Sequence, residues 1–311
     1  MVFGKVKAFI KLTRPFFLLG GVLFYLFGVV IALHAGVPFN LVHFLVGQAL
    51  VTSTQLMVHY TNEYYDRQVD AAVGAQRTWF SGGSGVLAGG VLEPGVALAA
   101  ARVCGAASLG LLMATALLAP LAGALGGLAI LAGWAYSAPP LKLMGRGWGE
   151  LSASLIVVFL TPLTGLVLQA GGRPLPALFY LASLPLVLVH VAMLLAFEFP
   201  DRESDLAFGK RTLVVRLGPV RAAWLHTGLL ALAFGLYAGF ILTGLAGTAG
   251  RYVLFALPLA AWQGFWTWRL ASRMEGGEAP AYKASGFSLL VTGAMGLVGL
   301  TGFLWLVGVV V

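Results

Sequence analysis

The chain has 311 residues, 59% of them hydrophobic and 10% charged, with a net charge of +8 and a mean hydropathy of +0.92. Soluble domains carry about 25% charged residues, so a water-soluble fold is excluded: no interior of this size would take so much apolar surface, and a bilayer must take the rest. The basic balance does not point to nucleic acid, because the Lys and Arg residues fall in short loops between apolar runs, the pattern of the positive-inside bias.

The basic start (Lys5, Lys7, Lys11, Arg14) leads straight into an apolar stretch long enough to span, with no small-residue cleavage site of a signal peptide. Nine spans follow in order, at roughly 16–35, 41–64, 95–118, 121–138, 150–170, 176–198, 220–244, 251–270 and 286–310. Glycine is abundant at 42 residues, many of them inside spans where small side chains let helices approach. Pro162, Pro185 and Pro258 fall within spans and are expected to kink them. Cys104 is the one cysteine, so the chain can form no internal disulfide.

With the N-terminus in the cytoplasm, 17 of the 19 Lys and Arg, Lys283 among them, fall on the cytoplasmic side; only Arg173 and Arg251 do not. That asymmetry sets the orientation and, with nine spans, puts the C-terminus outside. All 11 acidic residues fall on the same cytoplasmic face. Carboxylates contribute little to orientation, so that face has another use for them.

Two cytoplasmic segments repeat one pattern. Asp66-Arg67-Gln68-Val69-Asp70-Ala71-Ala72-Val73-Gly74, then Arg77-Thr78, follows the second span; Asp201-Arg202-Glu203-Ser204-Asp205-Leu206-Ala207-Phe208-Gly209, then Arg211-Thr212, follows the sixth. The four-span offset divides a single domain, 1–311, into a first half (1–138), a second half (139–270) and a ninth helix (286–310). Repeats of this kind commonly place a site at their interface. On a continuing helix Asp66 and Asp70 share a face, as do Asp201 and Asp205; Asn62, His59 and Gln55 extend the first face backward and Glu198 the second. Stacked carboxylates repel unless a cation compensates. Magnesium suits them, since it takes one or two carboxylates and completes its shell with waters and substrate phosphates. Arg67, Arg77, Arg202, Lys210 and Arg211 would neutralise the remaining phosphate charge. For one such segment a merely charge-balanced helix rim explains as much; for two copies in a carboxylate-poor chain it explains less.

At these residues the sequence resembles a family. Asn62-Glu63-Tyr64-Tyr65-Asp66-Arg67-Gln68-Val69-Asp70 is similar to the first aspartate-rich motif of the UbiA-type intramembrane prenyltransferases, N-D-x-x-D-x-x-x-D, with Glu63 in place of the usual Asp. Asp201 to Asp205 resembles the second motif, and Tyr136-Ser137-Ala138-Pro139-Pro140-Leu141-Lys142 the Y-[ST]-x-P-P-x-K segment. Gly209-Lys210-Arg211-Thr212-Leu213-Val214-Val215-Arg216-Leu217-Gly218 is similar to the G-K-R-T-L-A-V-R-L-G stretch of the 1,4-dihydroxy-2-naphthoate prenyltransferases of menaquinone synthesis. The resemblance covers nearly the whole chain.

The resemblance implies an all-α membrane enzyme in which Asn62, Asp66, Asp70, Asp201 and Asp205 hold Mg2+ around a polyprenyl diphosphate, the four aspartates being catalytic. Tyr136, Ser137 and Lys142 complete the diphosphate site. The allylic group ionises and is captured by an aromatic acceptor, with loss of carbon dioxide when that acceptor is a dihydroxynaphthoate. His59 would orient or deprotonate the acceptor, and Tyr60, Tyr64, Tyr65 and Phe197 would shield the cation. His190, polar at membrane depth, is flagged for function, although a helix-to-helix hydrogen bond explains it equally. The implied partners are the two substrates and the bilayer, with no nucleic acid and no obligate protein, and the implied place is the plasma membrane with the site toward the cytoplasm. Within the enzyme reading the alternative acceptors are 4-hydroxybenzoate, homogentisate, a chlorophyll precursor and glycerol phosphate. Outside it the rival is a secondary transporter; the carboxylates lie at helix ends and not at mid-span, which argues against it.

Overall fold

The computed structural model describes residues 2–276 and 280–311; Glu278 and the side chain of Lys283, placed above on the cytoplasmic face, lie outside that description. Among the described residues every regular element is helical. Helix α1 (Val2–Leu12) meets α2 (Pro15–His34) at Arg14, in the left-handed region at φ 53°. Pro15 opens α2 where a backbone N–H would have no partner in any case. Helix α3 (Leu41–Val73) is capped by the Asn40 side chain, which accepts from the His43 N–H at 3.1 Å, and stops at Gly74, φ 56°.

Helices α4 (Pro94–Leu118) and α5 (Pro120–Ser137) complete the first half. The next span is broken into α6 (Gly149–Leu155), a π-helical turn (Ile156–Leu160) and α7 (Thr161–Ala170). Pro162 lacks the N–H needed to continue the ladder, and the Ile156 carbonyl accepts both the Thr161 backbone N–H and, at 2.9 Å, the Thr161 hydroxyl. There follow α8 (Ala177–Ala207), the short α9 (Leu213–Leu217), α10 (Pro219–Leu242), a 3-10 segment (Ala249–Ala256), α11 (Leu257–Glu275) and α12 (Pro280–Val310).

Among the described residues eight helices are long and apolar enough to cross a membrane, one fewer than the sequence suggested. The difference falls at 251–270. Its first part is the 3-10 segment, and α11 carries Gln263, Thr267, Arg269, Arg273 and Glu275. Two of these groups bond inside the protein: Gln263 Nε2 donates to the Leu290 carbonyl and Thr267 Oγ1 to the Gln263 carbonyl, both at 2.7 Å, and Trp266 Nε1 donates to that of Gly286 at 3.1 Å.

Lipid tails are as apolar as leucine, so helices in a bilayer associate through close packing and hydrogen bonds. Leu117, Leu131 and Leu242 accordingly stay exposed on the rim. Inside, Tyr237 donates to the Ala182 carbonyl at 2.9 Å, and Gln169 and the Asn40 backbone bond each other twice, at 2.8 and 3.0 Å. At Gly28 the Pro162 carbonyl fills the space a Cβ would need, so α2 and the broken span meet backbone to backbone. Helix α8 is central, packed on α10 and α12 and facing α3. At about 1.5 Å per residue α3 is roughly 50 Å long and α8 roughly 46 Å, against a hydrocarbon core of about 30 Å. Both helices are therefore longer than that core, and both aspartate motifs lie on their C-terminal turns.

Candidate active site

The two motifs meet because α3 and α8 project side by side. Asp66 and Asp70 come from α3, Asp201 and Asp205 from α8, and all four line the mouth of one cavity. Lys210 joins them. After α8 the chain turns back, its Lys210 N–H donating to the Asp205 carbonyl at 2.8 Å, and Nζ lies 3.5 Å from both Asp66 Oδ1 and Asp205 Oδ1. Burial works against the ammonium form, but Asp66, Asp205, Asp70 and Asp201 outweigh it and hold Lys210 above the ordinary lysine range.

Each carboxylate has its own setting. Asn62, one turn before Asp66, donates through Nδ2 to Asp66 Oδ2 at 2.5 Å and to Ser137 Oγ at 3.1 Å. Asp201 Oδ2 accepts the Gly82 N–H at 3.1 Å, while Oδ1 is buried without a partner. Thr212 reaches Asp205 Oδ2 at 3.5 Å.

The glycine-rich loop after α3 closes over this mouth. Gly82, Gly83 and Gly85 all have positive φ, and a Cβ on Gly83 (φ 70°) would run into the Asp70 carboxylate. Glu63 fastens the loop. It is 2% exposed; Oε1 accepts from Arg14 Nε and the Ser84 N–H, and Oε2 from the Ser84 hydroxyl, all at 2.7 Å. Burial opposes the Arg14 charge, but Glu63, Asp70 and Asp66 hold its guanidinium above its ordinary value.

Below the mouth the cavity, about 300 Å3, turns apolar. Phe80 stacks on Phe197 at 6.1 Å between ring centres, and Phe17 meets Phe80 edge-on at 5.8 Å. Farther in the wall is Phe24, Leu50, Val157 and Met295.

Of the residues singled out in the sequence, Asn62, Asp66, Asp70, Asp201, Asp205, Lys210, His59 and Tyr136 line the cavity, and Ser137 stands behind Asn62. His59 Nδ1 lies 2.8 Å from the Thr13 carbonyl, which can only accept, so that nitrogen carries the proton. Other residues point elsewhere. Arg67 folds back on the Tyr64 carbonyl and ring, and Arg77 donates to the Asp70 backbone carbonyl at 2.5 Å. Lys142 and Arg211 are exposed, and Arg202 is half-buried with its Nε unpartnered. Sequence reasoning missed Arg14, Glu150 and the fastening role of Glu63. Arg14 was legible only as one of the basic residues that set orientation.

The donor set suits magnesium. Four carboxylates converge with one lysine, and a buried Asp201 oxygen lacks a partner. Among the described residues no three His, Cys, Asp or Glu are close enough to hold an ion by themselves.

Helices long and apolar enough to span, with paired aspartate motifs at the mouth of a cavity that turns apolar below, define an integral membrane protein. A family model of the UbiA prenyltransferase family matches residues 21–290, and the chain belongs to that family. It is 31% identical over 177 residues to the bacteriochlorophyll synthase 33 kDa chain of Cereibacter sphaeroides, a match covering 53% of this chain and 54% of that relative. The matched region thus spans about half of that relative's length. Among solved structures, a UbiA homolog from Archaeoglobus fulgidus bound to GPP and Mg2+ superposes with a TM-score of 0.60 at 19% identity, covering 94% of this chain and 99% of that one. A digeranylgeranylglyceryl phosphate synthase gives 0.58 at 16% identity, over 98% and 99%. At such identities these structures establish the shared fold.

Proposed function

We propose that this chain transfers a polyprenyl group from an allylic diphosphate to an aromatic acceptor in a Mg2+-dependent reaction. The observation that carries this reading is the pairing of Asp66 and Asp70 with Asp201 and Asp205 across the mouth of an apolar cavity. Asn62 and the four aspartates would hold magnesium, which when bound neutralises charge gathering on the leaving diphosphate. Lys210 and Arg14 add positive charge at the same place, already fixed before substrate arrives. As the allylic C1–O bond breaks, the diphosphate leaves with the bonding pair. A ring carbon of the acceptor supplies the new pair to C1 and then loses a proton, or carbon dioxide where it bears a carboxylate. Phe17, Phe80 and Phe197 line the path of the cation and keep water from it.

The stretch from Gly209 to Gly218 favours 1,4-dihydroxy-2-naphthoate as acceptor and a demethylmenaquinone as product. The bacteriochlorophyll synthase relative supports a second reading, a chlorophyll precursor as acceptor. The topology that accompanies the proposal counts α11 as a ninth crossing and treats the motif-bearing halves as related repeats. Its N-terminus is cytoplasmic, its C-terminus is outside, and the site opens to the cytoplasmic face of the plasma membrane.

The test is detergent-purified protein with magnesium, geranylgeranyl diphosphate and 1,4-dihydroxy-2-naphthoate, read by mass spectrometry. A decarboxylated prenyl product that disappears with chelator, with Asp66→Asn and with Asp201→Asn is the expected result. Diphosphate release without product moves the acceptor to another class. Neither product nor diphosphate release from folded protein overturns the reading.

A further inference from the structure

One polar group deep in the cavity has no part in the chemistry above. His190 lies on the cavity face of α8, among apolar residues, and is 5% exposed. Its Nδ1 is 2.9 Å from Ser154 Oγ, and that same hydroxyl donates to the Glu150 carbonyl at 2.6 Å. A hydroxyl has one proton. With it spent on the carbonyl, Ser154 accepts from His190, so Nδ1 carries the ring hydrogen and Nε2 is a bare acceptor. No protein group is bonded to Nε2 among the described residues.

Two turns along the same face stands Glu198, also on the cavity wall. Its Oε2 accepts the Val214 N–H at 3.1 Å, and Glu150 Oε1 accepts the neighbouring Leu213 N–H at 2.8 Å. Glu198 and Glu150 lie against each other closely enough to share one proton, and Glu150 Oε2 is buried with no protein donor. The carboxyl pair is thus anchored from behind by backbone N–H groups. Glu150 and Ser154 both belong to α6, immediately before the π-helical turn, so one short helix fixes both polar groups.

Two hydrogen-bond acceptors therefore face the cavity in register. From residue 190 to 198 the helix rises about 12 Å, room for two hydrogen bonds of about 2.8 Å and one aromatic ring between them. Glu198 is one turn below Asp201, so a ring held there lies directly beneath the aspartate cluster.

We propose that His190 and Glu198 are the acceptor-reading residues of this cavity, built to receive two hydroxyl donors from opposite sides of an aromatic diol. The inference rests on the prenyl-transfer reading and narrows its acceptor to a hydroquinone-type ring. A purely carboxylate acceptor brings no donor to either group.

The experiment compares the wild type with His190→Leu and Glu198→Leu, each lacking its hydrogen-bond acceptor, on 1,4-dihydroxy-2-naphthoate and its two mono-O-methyl ethers, at saturating magnesium and geranylgeranyl diphosphate. Losing one hydrogen bond to a buried acceptor is expected to raise the acceptor KM about tenfold. One of the methyl ethers should show the same rise in the wild type and no further rise in His190→Leu. The KM for the prenyl diphosphate should stay within about twofold in both variants, which a general loss of structure would not allow. Equal discrimination between diol and ether in wild type and His190→Leu overturns the proposal. Transfer by the wild type only to acceptors without hydroxyls overturns it too and leaves prenyl transfer standing. A wild type with no turnover at all sinks the transfer reading; fluorescence titration of the same proteins with the diol then decides, with loss of binding in His190→Leu supporting the subsite and equal binding refuting it.

Discussion

Removing the positive charge at Lys210 should unbalance both aspartate motifs at once. A unit pair at 3.5 Å interacts by about 5 kcal/mol at an effective dielectric near 20, and Lys210 makes two such contacts, to Asp66 and Asp205. Much of that is offset by the cost of burying the three groups, whose side chains are 13%, 12% and 4% exposed. What remains on truncation is the penalty of uncompensated buried carboxylates, about 3–5 kcal/mol. Lys210→Met, which keeps the length of the stem, should therefore unfold at a clearly lower temperature than wild type in the same detergent without ligand. Asp66→Asn in that background should restore part of the loss, because it removes one of the stranded charges.

The pH dependence has a definite sign. Lys210 is held above its ordinary value of 10.5, so its contribution is complete below that value and is lost only as pH rises through the higher folded one. Across about pH 6 to 9 the lysine itself adds no slope to the difference. Differential scanning fluorimetry of the four proteins in the Lys210/Asp66 cycle is the assay. A Lys210→Met protein as stable as wild type, or one not improved by Asp66→Asn, would show that the charges are solvated and would refute the reasoning.

Other outcomes follow from the same geometry. Gly83→Ala forces an L-residue into the left-handed region, at about 1–2 kcal/mol, and drives a methyl into Asp70; the prenyl diphosphate KM should rise while the helix content seen by circular dichroism holds. Glu63→Ala strands Arg14 and frees Ser84, so limited proteolysis should cut the loop after α3 faster, with a stability loss of about 3–5 kcal/mol. Asp201→Asn should give no turnover at any magnesium concentration in a titration against metal, as chelation abolishes it for the wild type. It should leave the folded protein intact, because the Gly82 N–H still finds an oxygen acceptor.

How much of this the sequence carried depends on the distance over which each feature is encoded. The repeat, the i to i+4 aspartate pairs and the first eight or so residues after each are local patterns, and α3 and α8 bring them together at one cavity. Lys210 was legible as one cation among five, but its place between the motifs depends on the turn after α8. Arg14 and Glu63 are separated by 49 residues, and nothing local distinguishes that contact from ordinary topology-setting charge. Arg67 and Lys142 had the right composition and spacing, yet helix direction and loop path point them to Tyr64 and to solvent. At 251–270 the apolar count suggested a span where the described helix α11 falls outside the eight that are long and apolar enough. Gln263 and Thr267 spend their polarity on other protein groups, a saving that hydropathy does not register.

The excess length of α3 and α8 over the hydrocarbon core has a kinetic consequence. A polyprenyl diphosphate bound as proposed keeps its tail in the lipid and its head in the interface throughout, so it reaches the site by diffusing in two dimensions. The concentration that governs its rate is then its mole fraction in the membrane and not its amount per volume of water. Diluting the donor with inert lipid at fixed bulk concentration should slow turnover, while diluting the whole suspension with buffer should not.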